Sequence, residues 1–181
     1  GNTDRAGEIV DRIRENIRKA PPRKDYFDFN AAIGEVIALA RSAIIKNGVS
    51  VQTPLADGLS PVHGDRVQLQ QVVLNLILNA VEAMSGTSEG ARDLLISTER
   101  EASGGALVIV RDSGPGLNPQ SVDRLFEAFY TTKPEGVGMG LAICRSIIEA
   151  HGGRLWATAN EPRGAVFQFT LPRDRDEAVP S

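Results

Sequence analysis

The sequence is poor in the residues that build metal centres and covalent staples. Cys144 is the single cysteine, and His63 and His151 are the two histidines. One thiol excludes an internal disulfide and fits a reducing compartment. Three scattered side chains of these types exclude a zinc-type cluster. Charge of one sign is lacking too: 20 basic against 23 acidic residues leave −3, without the basic excess that nucleic acid or an anionic membrane selects. No apolar run reaches the roughly 18 residues of a membrane-spanning helix, and no signal peptide opens the chain. A cytoplasmic domain is expected, though the intact protein could be membrane-anchored. There is no G-x-x-x-x-G-K-[ST] loop, and the Gly136–Gly140 cluster is not preceded by a strand, which excludes a Rossmann dinucleotide site. What remains is an ordinary globular composition over 181 residues, 41% hydrophobic and 24% charged, long enough to bury a real core.

One stretch is long, apolar and free of Gly and Pro: Asp65 to Met84, DRVQLQQVVLNLILNAVEAM. Its length and composition predict a helix. Val72, Val73, Leu76, Ile77, Ala80, Val81 and Met84 cover most of its surface, so it should be buried. Yet Gln68, Gln71, Asn75, Asn79 and Glu82 fall within an arc of about 80°. Each buried amide left unpaired costs about 1–3 kcal/mol, so this stripe must face something polar. Asn75 and Asn79 offer neutral oxygens suited to a hard cation and its phosphates. A core helix with one solvated edge is the plainer reading, and the stripe alone leaves both open.

In chain order, residues 4–19 place Ala6, Ile9, Ile13 and Ile17 on a narrow seam, as in a coiled coil or bundle. A lone helix of that length needs a partner, either another copy or a further helix, or else its own domain. Pro21-Pro22 ends it. Residues 26–29 read as a strand, and Asn30 as the cap of a helix over 31–46. Strands follow at 49–53 and 61–63, with Gly64-Asp65 capping the central helix. Residues 94–100 and 106–111 read as a hairpin around 103–105. A long connection spans 117–138, with a short helix at 122–126. A helix over 139–150 and a closing strand pair, 154–158 and 165–171, complete the domain. The tail is charged. This order predicts one mixed sheet with helices stacked on one face.

Two glycine clusters flank the long connection. Asp112-Ser113-Gly114-Pro115-Gly116 follows a strand, where a carboxylate can accept from a ligand amine and Gly114 and Gly116 let a flat ring approach. A plain turn fits the same residues. Gly136-Val137-Gly138-Met139-Gly140 runs into a helix, leaving amides for phosphate. Between them, Phe126, Phe129, Tyr130, Thr131, Thr132 and Lys133 suit a hinged flap over a phosphate chain; disorder fits a connection of that length as well.

Four stretches stand in a fixed order: NLILNA (75–80), DSGPG (112–116), LFEAFYTTK (125–133) and GVGMGLAI (136–143). Together they resemble the asparagine, first-glycine, phenylalanine and second-glycine boxes of the ATP-binding catalytic domain of sensor histidine kinases. The Thr131-Thr132-Lys133 run and the EAHGG at 149–153 look most like nitrogen-regulation and oxygen-sensing members. The resemblance implies an α+β fold, the two-layer α/β sandwich of Bergerat type with a mostly antiparallel sheet, shared with gyrase-type, Hsp90-type and mismatch-repair ATPases. It implies three parts: residues 1–22 as the end of a dimerisation hairpin and linker, 23–172 as the catalytic ATP-binding domain, and 173–181 as a tail.

The resemblance also implies ATP and Mg²⁺ as ligands. Asn79 would hold the metal and Asn75 the metal or a phosphate. Asp112 would take the adenine amine, with Gly114 and Gly116 giving the ring room, and Ala83, Leu117 and Leu141 would also line the nucleotide site. Phe126, Thr131, Thr132 and Lys133 would belong to the flap, with Lys133 reaching the terminal phosphate. Gly136, Val137, Gly138, Met139 and Gly140 would bring amides to the phosphates. Asn75, Asn79 and Lys133 would be the catalytic set. The implied reaction moves the γ-phosphate of ATP to a histidine on an upstream dimerisation domain. A response regulator is reached through that domain, and the intact protein is a homodimer.

ATPase relatives commonly carry a Glu four residues before the metal-binding Asn. Here that place is Asn75, which cannot act as a general base. Glu82, the only acid on the stripe, is open to three roles, assisting a proton transfer, orienting Asn79 or facing solvent, of which solvent is the expected one. His63 lies near a strand end, and His151 lies at a helix C-terminus, where positive charge suits the dipole. Neither has the acidic surroundings of the family's acceptor. Cys144 is expected in the core. An ATP-hydrolysing relative and a non-catalytic nucleotide-binding interaction module are the rival readings; Asn75 disfavours the first.

Overall fold

The computed structural model describes residues 24–86, 90–116, 124–126, 140–161 and 163–173. The expected helix over 4–19, most of the 117–138 connection and the tail from 174 lie outside the described residues.

The described chain opens with strand β1 (Lys24–Phe27) and helix α1 (Phe29–Lys46). β1 sits two residues earlier than the sequence suggests, and the helix cap is Asp28, whose side chain accepts from Ala31 N–H at 3.2 Å. Asn30, the expected cap, lies inside the first turn instead. Its amide donates to Ala56 O (2.8 Å), and its oxygen accepts from the Thr98 hydroxyl (3.0 Å). A carboxylate two residues upstream satisfies the helix end, so Asn30 is released to tie the 53–61 segment to the sheet. Phe29 is correspondingly drawn into the core, edge-on to Phe169.

After strands β2 (Ser50–Gln52) and β3 (Val62–Asp65), the central helix α2 runs Arg66–Ser85. Asp65 caps it, accepting from Gln68 N–H at 3.1 Å. Ten of its residues are buried, among them Leu69, Leu76 and Ile77. At about 1.5–3 kcal/mol for each large apolar side chain fully buried, this helix is the main pillar of the core. The hairpin β4 (Asp93–Arg100) and β5 (Ala106–Asp112) forms where expected; helix α3 (Gly140–Ala150) and strands β6 (Arg154–Ala159) and β7 (Ala165–Leu171) follow.

The main sheet has the order β2-β4-β5-β7-β6. β2 runs parallel to β4 and every other pair is antiparallel; β1 and β3 form a separate two-stranded ribbon. Alternation along the strands sends Leu94, Ile96, Val108, Val110, Phe167 and Phe169 into the core beneath the helices. Leu95, Ile109, Trp156 and Val166, on the opposite face, are only half-buried. The expected layering, one mixed and mostly antiparallel sheet with helices on a single face, is what forms. α2 is packed between α1 and α3 on that face.

Candidate nucleotide site

The amide stripe of α2 is graded rather than uniform. Gln71 is buried, Gln68, Asn75 and Asn79 are half-buried, and Glu82 is exposed. Asn75 donates through Nδ2 to Cys144 Sγ at 3.5 Å. Cys144 is fully buried, as expected, and its sulfur holds the Asn75 amide so that Oδ1 is directed elsewhere. Asn75 and Asn79 therefore stand one turn apart at the boundary between core and solvent, with the start of α3 alongside.

Toward the C-terminal end of the same helix, the loop after β5 closes in. Gly114 lies against Ala83 and Met84: a Cβ built on it would stand 3.5 Å from Ala83 C and 3.4 Å from Met84 Cγ. Ser113 pins the loop to the chain ahead of β4, its hydroxyl donating to Ala91 O (2.8 Å) and accepting from Asp93 N–H (2.9 Å). Gly116 has φ +93°, and a Cβ there would approach Gly164 O to 3.1 Å. The sequence assigns the two glycines to ring approach; in the fold, their missing side chains also admit protein neighbours.

Asp112 ends β5 and is 3% exposed. Its Oδ1 accepts from Gly114 N–H (2.9 Å) and Ala165 N–H (3.3 Å). Both bonds end on the same oxygen, and among the described residues no hydrogen bond reaches Oδ2. Burial pushes the carboxyl above its ordinary range, opposed by those two amides. A desolvated acceptor with one unused oxygen, beside the half-buried Ala83, is suited to a neutral donor such as an exocyclic amine.

Phe126 is half-buried and edge-on to Phe167 (6.3 Å between centroids), with the Arg145 guanidinium 5.3 Å from the centre of its ring. It docks its segment on the core. Residues 124–126, the described part of the expected short helix, form a turn. Gly140 and Leu141 open α3 and are half-buried. Leu117, Thr131, Thr132, Lys133, Gly136, Val137, Gly138 and Met139 lie outside the described residues.

Both histidines are accounted for by the fold. His63 stacks on Tyr26 at 4.7 Å between ring centres. His151 places Nδ1 2.7 Å from Ile147 O and receives Asp65 N–H on Nε2 at 3.1 Å. A carbonyl can only accept and an amide N–H can only donate, so in this geometry Nδ1 is the donor and Nε2 the acceptor. Gly64 makes room for it, since a Cβ there would come within 2.7 Å of the ring.

Sequence reasoning missed the turn between β6 and β7. Asn160 donates to Asp112 O (3.1 Å) and Arg163 to Ser113 O (2.9 Å). The hairpin itself is legible from its alternation. That it folds over Asp112 depends on β7 pairing with β5, which no local pattern reveals.

The family model for histidine kinase-, DNA gyrase B- and HSP90-like ATPases matches residues 64–175. Sensor histidine kinase TmoS of Ectopseudomonas mendocina is 40% identical over 172 residues, 94% of this chain and 18% of that protein. Sensor protein FixL of Bradyrhizobium diazoefficiens is 40% identical over 168 residues, 93% and 33% of the two lengths. The chain thus spans a third or less of these relatives. The catalytic domain of histidine kinase ThkA superposes with a TM-score of 0.75 at 33% identity, covering 86% of this chain and 99% of that one. ThkA in complex with its response regulator TrrA gives 0.74 at 30% identity, over 97% of this chain and 49% of that one. Asp112 and the asparagine stripe lie within the matched residues, and the chain belongs to the histidine kinase-, DNA gyrase B- and HSP90-like ATPase family, as a catalytic ATP-binding domain of the sensor histidine kinase kind.

Proposed function

We propose that this domain binds Mg-ATP and transfers the γ-phosphate to a histidine on a dimerisation domain of the same protein. The observation that carries the reading is one of assembly. A single helix presents Asn75 and Asn79 on one face and, toward its C-terminal end, packs Ala83 and Met84 against the loop of the buried Asp112. The base would donate its amine to Asp112 Oδ2, beside Ala83, Gly114, Gly116, Leu117 and Leu141. The phosphates would run toward Asn75, Asn79 and the Gly136–Gly140 segment. Phe126 would anchor the flap, from which Thr131, Thr132 and Lys133 would reach the phosphates.

The donors fit magnesium. Among the described residues, no group of three His, Cys, Asp or Glu could hold a metal, whereas neutral amide oxygens suit an ion that takes most of its ligands from phosphate and water. Bound there, the ion would neutralise phosphate charge, which is most of what phosphoryl transfer asks of a protein. Asn79 is the proposed metal ligand. Asn75, oriented through Cys144, is the proposed metal or phosphate contact. Hydrolysis is disfavoured: Asn75 is no base, and Glu82 is exposed. Calorimetry should find ATP affinity Mg²⁺-dependent, with the dependence lost in Asn79→Ala. Unchanged affinity in that variant would sink the metal assignment.

His63 and His151 are both engaged within the fold, which supports the reading that the acceptor lies elsewhere in the full protein. The intact kinase is then a homodimer through its dimerisation domain, working on the cytoplasmic side and signalling to a response regulator. This chain, Mg-ATP and a separately made dimerisation domain should yield acid-labile phosphohistidine on the latter. Phosphate on His63 or His151 instead would overturn this assignment.

A further inference from the structure

We infer that Asn160 and Arg163, in the turn between the last two strands, are positioning residues that aim Asp112 at the base; the inference rests on the proposed role of Asp112. The turn and the first residue of β7 hold Asp112 and Ser113 at three points. Asn160 Nδ2 donates to Asp112 O at 3.1 Å, Arg163 Nε donates to Ser113 O at 2.9 Å, and Ala165 N–H reaches Asp112 Oδ1 at 3.3 Å. The first two fix consecutive peptide planes, and the third fixes the carboxyl rotamer. Together they set where Oδ2 points.

The turn is built to come this close. Asn160 N–H donates to Gly164 O at 3.0 Å, closing the loop on itself. Gly164 has φ +112°, and a Cβ there would run into Asp112 O and the Ser113 backbone. Only glycine combines that dihedral with that contact. The Arg163 guanidinium also lies 3.1 Å from the place a Cβ of Gly90 would occupy. The turn therefore bridges from β7 to the chain entering β4, on both sides of the Asp112 loop.

A buried carboxyl raised by desolvation gains from any rotation toward water. Two side-chain donors on the neighbouring carbonyls oppose that rotation without touching the ligand. Their removal should blur recognition of the amine more than it weakens binding of the phosphates.

The test compares ADP with inosine diphosphate, which carries a carbonyl in place of the amine, by calorimetry on the whole chain. The unaltered protein should prefer ADP. In Asn160→Ala/Arg163→Ala, that preference should fall by about fivefold, the scale of one net hydrogen bond. Should the double variant not fold, each single variant, checked by its melting temperature, carries the same measurement. A lowered melting temperature with the ADP preference intact would overturn the inference and leave the turn a structural brace. No preference in the unaltered protein would overturn the role of Asp112 itself, and this inference with it.

Discussion

The two ends of the central helix are fastened by the same device with opposite accounting. At the N-terminal end, His151 bridges Ile147 O and Asp65 N–H, and both ring nitrogens are consumed. At the C-terminal end, Asp112 bridges the amides of Gly114 and Ala165, but both bonds end on Oδ1. The half-buried histidine is saturated by the fold; the buried aspartate, among the described residues, keeps an oxygen back. A saturated group holds structure, and a partly used one in a desolvated pocket is where a ligand completes the pairing. EAHGG and DSGPG look alike as sequence, each polar and glycine-rich at the end of an element. Their hydrogen bonds separate a brace from a binding group.

The sharpest way to break this contrast is Asp112→Asn. The amide keeps an oxygen for Gly114 and Ala165 but presents a donor where Oδ2 was. Adenine nucleotide affinity should fall by about 1.5–3 kcal/mol, the range for a hydrogen bond to a charged group, with the fold at least as stable as before. Calorimetry and denaturant unfolding of the same preparations would check both halves. Full affinity in a folded variant would mean that the unused oxygen is not where the base binds.

At the other end, His151→Ala strips a partner from two backbone groups at once. Unfolding free energy should drop by about 1–3 kcal/mol, while affinity for ADP, measured where the variant is fully folded, stays within about twofold, the scale of a change distant from a site. A specific loss of affinity at full folding would place His151 in the binding machinery and dissolve the comparison.

How much of this could be read beforehand follows from the range of each interaction. The central helix, its Asp65 cap, the hairpin at 93–112 and the closing strands are written in local periodicity, and all are found within a residue or two. The asparagine spacing and the Asp112 loop were legible for the same reason, as one helix face and one strand end. The first helix start was misplaced because Asn30 has a distant partner in Thr98, and a cap rule sees only neighbours. Asn160, Arg163 and the His151–Asp65 bridge join residues 48 to 86 positions apart. Such pairs are fixed by strand order and helix packing, which no window of sequence contains.

The smallest effect expected is a slope with pH, and it tests the physical basis of the contrast. Burial raises the Asp112 carboxyl above its ordinary value in the folded state. Between that ordinary value and the raised one, the native protein holds a proton that the unfolded chain has released. In that window stability falls as pH rises. Below the ordinary value the cost is absent; above the raised value it is fully present. Asp112→Asn has no such proton to hold. The stability of the variant relative to the unaltered protein should therefore climb from about pH 4 upward, since the ordinary aspartate value lies near there, and then level off. Denaturant midpoints of the two proteins across that range would trace the difference. A flat difference would mean that the carboxylate bears no desolvation cost in the empty site, and Asp112 would then be as fully satisfied as His151.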